Sequence, residues 1–234
     1  SMELITDDGS EEFQIDGSVQ IQGGSSTGRW KLYKLSIRGK FQAPFGPSKL
    51  NHALYEDSPI DSYDNIILDG VLNHSWLHSG QHNMPQYIQD QYVADLHNAM
   101  GGYSPYGRFM NIYLNGLYWG MYYVHDRPDH AWAAKLFGGN KEEFHAVKHN
   151  GSTVISNGNG KSARSAYSAM VAAANAVRSD SDSLEAWENL KRHLDVDNFI
   201  TYLLANWFTG NHDWPHKNWY ATAREGGPWR FHSW

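Results

Sequence analysis

The 234-residue sequence predicts an α+β fold, with strands crowded into its first half and helices into its second. Three observations carry that expectation. Apolar and polar residues alternate from Phe13 to Ile21, the period of a strand. Asn115-Gly116 lies between two runs of aromatic and β-branched residues, a strong short-range hairpin signal. Three helical patterns follow one another between Ser162 and Thr209.

The elements follow in order. Phe13, Ile15, Val19 and Ile21 are the apolar members of a first strand region, broken near Asp16-Gly17. A small, flexible turn comes next, Gly23-Gly24-Ser25-Ser26-Thr27-Gly28. A second strand is expected over Trp30 to Ile37. The run Ile66-Ile67-Leu68 within Asp64 to Gly70 reads as a short buried strand. Pro85 to Met100 reads as a helix, because proline suits a first turn and Tyr92, Leu96 and Met100 recur at spacing four. Gly101-Gly102 stops it.

Arg108 to Val124 is the hairpin around Asn115-Gly116, and His125-Asp126-Arg127-Pro128 ends it. A short helix through Trp132 and Leu136 runs to Gly138-Gly139. Helices are expected over Ser162 to Arg178, Ser183 to His193, and Asp197 to Thr209, the last with Asp197 as its N-cap and Gly210 as its stop. Strands over Trp219 to Ala223 and Trp229 to Trp234 flank a turn at Glu225-Gly226-Gly227-Pro228.

Bulk composition excludes several classes. Hydrophobic residues make up 41% and aromatics 14%, too apolar a load for a disordered chain. A net charge of −6 gives nucleic acid no electrostatic footprint. No apolar run approaches the roughly 20 residues that span a bilayer. Without cysteine there are neither disulfides nor thiolate metal sites. Ser1-Met2 reads as an appended remnant and Trp234 falls inside an expected strand, so both ends read as fragment boundaries.

The stretch from His212 to Asn218 carries the most chemistry. It sets Asp213 five positions before Asn218, after an apolar helix and before a hairpin. Protein kinases use this spacing: the Asp accepts the substrate hydroxyl proton and the Asn binds a metal ion. One short loop can then aim a carboxylate at the nucleophile and an amide oxygen at the metal, both beside one γ-phosphate. The following hairpin returns a second Asp to that metal, and the chain ends where that Asp would come. Taken alone the spacing is weak, since a turn rich in Asp, Asn and Pro needs no catalytic role.

Other signals weigh less. Gly158-Asn159-Gly160-Lys161-Ser162 resembles the end of a phosphate-binding loop, but Ile155 stands where that loop needs glycine. His74, His78 and His82 would share a helical face for zinc, yet Asn73, Ser75, Ser79 and Gly80 argue against a helix. His145 and His149 fall in an expected strand and are not expected to align. Most of the tryptophans and tyrosines read as core, and Asp180 to Asp182 as a solvated loop.

The chain resembles the CotH (spore-coat-protein-H) kinase family along nearly its whole length. The matching segments are Gly23-Gly24-Ser25-Ser26, Lys31-Leu32-Tyr33-Lys34-Leu35, Phe45-Gly46, and Gln86-Tyr87-Ile88-Gln89-Asp90-Gln91. They continue with Asn111 to Tyr122, Arg127-Pro128, Phe137-Gly138-Gly139, and Asn211 to Tyr220 leading to Trp229-Arg230-Phe231. The resemblance implies a divergent protein-kinase-like fold, truncated at its C-terminus. A strand-rich N-terminal lobe would occupy about residues 1–125, and a helical C-terminal lobe with the catalytic loop residues 126–234. It also implies ATP-dependent phosphorylation of a protein substrate with Mg²⁺ or Mn²⁺, by a bacterial protein that is extracellular or at the cell surface.

By position, Gly24, Ser25 and Ser26 would form a turn near the phosphates. Lys31 would be the strand lysine contacting them, pointing into the cleft between the lobes, while Lys34 would face the other side. Asp213 would be the catalytic residue and Asn218 a metal ligand. Asp126 would stand on the cofactor side where the family usually has Glu. The chain departs from the family at Gln89 and Asp69, where Arg is usual. The competing reading is a non-catalytic scaffold or binding module of a bacterial surface protein.

Overall fold

A computed structural model of the chain describes residues 1–23, 34–73, 75–150, 153–157, 160–211 and 214–234. The described residues are mixed α and β, in two compact units. The first comprises Ser1–Gln91 and Tyr106–Arg127, the second Tyr92–Pro105 and Pro128–Trp234.

The first unit is built on an antiparallel five-stranded sheet. Strands β1 (Met2–Ile5) and β2 (Glu11–Ile15) form a separate hairpin. The sheet itself takes β3 (Ser18–Ile21), β4 (Ile37–Lys40), β7 (Asn65–Asp69), β9 (Leu117–His125) and β8 (Gly107–Leu114), in that spatial order. The short strands β5 (Leu50–Asn51) and β6 (Ser62–Tyr63) pair apart from it. Strand β7 lies in the middle, which explains its unbroken apolar run: Ile66, Ile67 and Leu68 are all buried. In the β8–β9 turn both Asn115 (φ +50°) and Gly116 (φ +79°) take left-handed backbone, as a two-residue hairpin turn requires.

One expectation shifts in this unit and one holds. The strand foreseen over Trp30 to Ile37 begins only at Ile37; residues 30–33 lie outside the described residues, and Lys34 to Ser36 are not strand. Side chains pin this stretch. The Ser36 hydroxyl donates to Asp69 Oδ1 (2.9 Å) and accepts from the Gly70 amide (2.9 Å), while Lys34 Nζ donates to the Met121 carbonyl. Residues 75–84 form turns and bends rather than a helix, so His78 and His82 share no helical face; His74 lies outside the described residues.

Helix α1 (Gln89–Ala99) starts four residues after Pro85. Its buried residues are Ala94 and His97, whereas Tyr92 of the expected stripe is exposed. His97 determines which side is covered: it hydrogen-bonds Ser104 (2.7 Å) and packs against Tyr202. Gly102 closes on that ring so tightly that a Cβ there would lie 2.1 Å from it.

The second unit sets helices beside an antiparallel sheet ordered β11 (Thr153–Asn157), β10 (Phe144–Asn150), β12 (Trp219–Arg224), β13 (Arg230–Ser233). Helix α2 (His130–Phe137) is capped by Asp129, and α4 (Leu184–His193) by Ser183. Helix α3 (Gly160–Ser179) supplies Ala163, Met170 and Ala173 to a core that also holds Val147, Leu190, Tyr202, Trp219, Ala221, Trp229 and Phe231. Helix α5 (Val196–Thr209) is capped by Asp195, not Asp197: Asp195 Oδ1 accepts from the Asn198 amide (3.1 Å), and Oδ2 accepts from Arg230 (2.9 Å). His145 and His149 do align, because a strand repeats every two residues; they stack on Trp229 and Trp219 respectively. No helix among the described residues is long and apolar enough to cross a membrane.

Candidate functional site

The segment between α5 and β12 is fastened at its start, middle and end. Gly210 closes α5 in left-handed backbone (φ +63°), with its amide on the carbonyls of Asn206 and Trp207. The Asn211 side chain donates to Asn206 Oδ1 (2.9 Å). Trp214 Nε1 donates to the Tyr202 hydroxyl (2.6 Å), and Trp219 Nε1 donates to the Pro215 carbonyl (2.9 Å). Trp219 is buried, in contact with His149, Tyr167 and Phe231.

Asn218, immediately before β12, is exposed and takes left-handed backbone (φ +60°), which Asn adopts more readily than most residues. Its amide makes no hydrogen bond among the described residues. The pairing of Trp219 with Ser233 and Tyr220 with His232 returns the end of β13 to the neighbourhood of Asn218. Asp213 lies outside the described residues.

Three residues of α5 that the sequence reading passed over hold this hairpin to the helix. Asn198 Oδ1 accepts from the Phe231 amide (2.7 Å), and its Nδ2 donates to the Phe231 carbonyl (3.3 Å). Asn206 Nδ2 donates to the Tyr202 carbonyl (2.9 Å), within the same helix, and longer to Ser233 Oγ (3.5 Å). Tyr202 lies between them in sequence, and burial pushes its phenol well above the ordinary range. The signal was present as polar Asn at spacing eight within an apolar helix, since a buried amide needs partners.

Behind β13, His232 bonds the Tyr103 carbonyl (2.7 Å) and Thr222 (2.8 Å) through its two ring nitrogens. Burial lowers the His232 imidazole to about 3 and that of His97 to about 4, so both are neutral near pH 7.

The remaining expected site residues belong to the first unit. Asp126 closes β9 and is only 1% exposed. Its amide donates to the Tyr106 carbonyl (2.9 Å), its Oδ2 accepts from the Tyr106 amide (3.4 Å), and its charge helps raise the phenols of Tyr55 and Tyr63. Gly24, Ser25, Ser26 and Lys31 lie outside the described residues. Lys34 is described: its ammonium stands over the Tyr122 ring (4.5 Å). Burial lowers its pKa, and the nearby Asp69 carboxylate opposes that shift. Asp69 itself accepts from Ser36 and from the Val71 amide (2.7 Å). Among the described residues no three His, Asp or Glu side chains form a metal-holding group.

Comparison with curated proteins gives no match. A family model described as CotH kinase protein matches residues 35–234. That span starts after Lys31 and takes in α1, the Asn115-Gly116 hairpin and the whole α5–β13 region. With well over half of its length matched, the chain belongs to the CotH kinase family.

Proposed function

We propose that the chain is a kinase-like phosphotransferase that uses ATP with Mg²⁺ or Mn²⁺ and phosphorylates a hydroxyl on a secreted or surface protein. The observation that carries this reading is the loop ending at Asn218, fastened to α5 and β12 by Asn211, Trp214 and Trp219. Phosphoryl transfer asks little covalent chemistry of a protein and much positioning, and a loop anchored at three points supplies it.

In this reading the first unit corresponds to the nucleotide-covering lobe of a kinase-like fold, and its antiparallel five-stranded sheet supports that correspondence. Asp213 accepts the proton of the acceptor hydroxyl. Asn218 fits a hard divalent cation as one oxygen ligand, being exposed and without a side-chain hydrogen bond among the described residues. When bound, the metal ion neutralises charge on the phosphate oxygens. Gly24, Ser25, Ser26 and Lys31 take the phosphate end of the nucleotide, and Asp126 fixes the end of β9 on the cofactor side.

A second reading, a non-catalytic scaffold, draws on Asp69. It places a carboxylate, bonded to Ser36 and Val71, where the family usually has a cation. Calorimetric titration with ATP and Mg²⁺ or Mn²⁺ followed by a phosphotransfer assay separates the two, because a scaffold transfers no phosphoryl group whether or not it binds nucleotide. The Asp213→Asn variant is expected to keep nucleotide binding and lose phosphotransfer at least ~100-fold, the usual scale of a general base. Undiminished transfer by Asp213→Asn removes that residue from the mechanism.

A further inference from the structure

The β8–β9 hairpin runs on past its neighbour in the sheet as a two-stranded arm. Strand β7 pairs with β9 only as far as Asp69 opposite Tyr123. Among the described residues, Leu117 to Tyr122 therefore have β8 as their only strand partner. Six residues of strand make an arm of ~20 Å. Both of its faces are bare. Leu114 pairs with Leu117 and Tyr113 with Tyr118, and neighbouring cross-strand pairs point to opposite faces. The leucines are 38 and 70% exposed, the tyrosines 62 and 60%. Trp119 and Met121 are exposed on the same arm. Residues 109–124 contain no Asp, Glu, Lys or Arg, in a chain whose net charge is −6.

We propose that this arm docks on a phosphatidylcholine-type bilayer surface, with its tip in the headgroup layer. An exposed apolar patch marks a protein or a membrane contact, and here shape selects between them. A protein partner presents one surface and covers one face of a projecting hairpin, whereas a lipid layer closes around both. The side chains agree, since Trp and Tyr join an apolar body to a polar tip and suit a membrane–water interface. Charge selects the lipid. Anionic headgroups repel an acidic chain, while an uncharged arm meets a zwitterionic headgroup without repulsion. Cations stand at the root of the arm and not at its tip: Arg108 pairs with Val124, and Lys34 donates to the Met121 carbonyl. The backbone sets the depth. The outer edge of β8 has no strand partner among the described residues, and such groups need water or headgroups. The tip therefore rests ~5–10 Å into the headgroup/acyl boundary and does not cross it.

Co-sedimentation of the whole chain with phosphatidylcholine vesicles tests this. Binding is expected at ~1 mM lipid, a concentration at which a single acyl chain already holds a protein. Replacing part of the lipid with anionic phosphatidylglycerol should bring no gain. Leu117→Glu should weaken binding ~10-fold or more, and Tyr118→Ser should act in the same direction. Both positions are exposed, and circular dichroism checks that the fold is kept. The native chain has no cysteine, so Leu114→Cys carries a single nitrobenzoxadiazole label. Its emission should rise and shift to the blue on vesicles, while the same label at the exposed Glu185→Cys on α4 stays unchanged. No binding at that lipid concentration overturns the proposal. So do binding that requires anionic lipid, binding unaffected by Leu117→Glu, and equal responses of the two labels. A Leu114→Cys emission change that grows with protein concentration in the absence of vesicles also overturns it, and gives the arm to a second copy of the chain.

Discussion

Acidification should loosen the second unit through His97 before carboxylate protonation dominates. His97 is fully buried, bonded to Ser104, and its pKa is lowered by burial from 6.5 to about 4. A histidine with a depressed folded-state pKa stabilises the fold above the unfolded-state value. That stability is lost as pH falls towards the folded-state value, because the unfolded chain takes up the proton first. The window is therefore about pH 6.5 down to about 4. A shift of this size is worth about 3 kcal/mol at 1.36 kcal/mol per unit, a large share of a typical domain's 5–15 kcal/mol. His232, lowered to about 3 by burial with Arg230 and His97 nearby, acts in the same direction and extends the window downward. Urea denaturation at several pH values between 7.5 and 4.5 measures the slope. The variant His97→Gln is destabilised at every pH, but its slope should be shallower than the native one by up to ~1.4 kcal/mol per pH unit, one proton's worth. Parallel slopes for the two proteins would refute the assignment of that proton to His97.

Two further outcomes bear on the fastening of the candidate loop. Asn198→Ala strands the buried Phe231 amide and should cost about 1–3 kcal/mol in chemical denaturation; a loss below 0.5 kcal/mol would mean that water replaces the side chain. Trp214→Phe keeps the ring packing but removes the bond to Tyr202. It should cost about 0.5–1.5 kcal/mol of stability and lower kcat for phosphotransfer more than it raises KM for ATP; an unchanged kcat would detach the anchor from the chemistry.

The sequence by itself determined what local chemistry can encode. The Asn115-Gly116 turn, the helix stop at Gly210, the strand region broken at Asp16-Gly17 and the buried run of β7 all follow from two to five neighbouring residues. The spacing from Asp213 to Asn218 was legible for the same reason, as was the hairpin after it. Tertiary structure decided whatever depends on a distant partner. Asp195 displaces Asp197 as the cap of α5 and also holds Arg230, thirty-five residues away. Helix α1 turns His97 rather than Tyr92 inward, towards Ser104 and Tyr202. Ser36 leaves the expected strand in favour of Asp69 and Gly70. Asn198 reads as an ordinary polar residue until β13 is laid beside α5 and its amide meets both backbone groups of Phe231. Turn and cap preferences are set by the chain's own dihedral angles. Burial and hydrogen-bond satisfaction are set by whichever segment arrives from elsewhere, and no window of neighbouring residues contains that information.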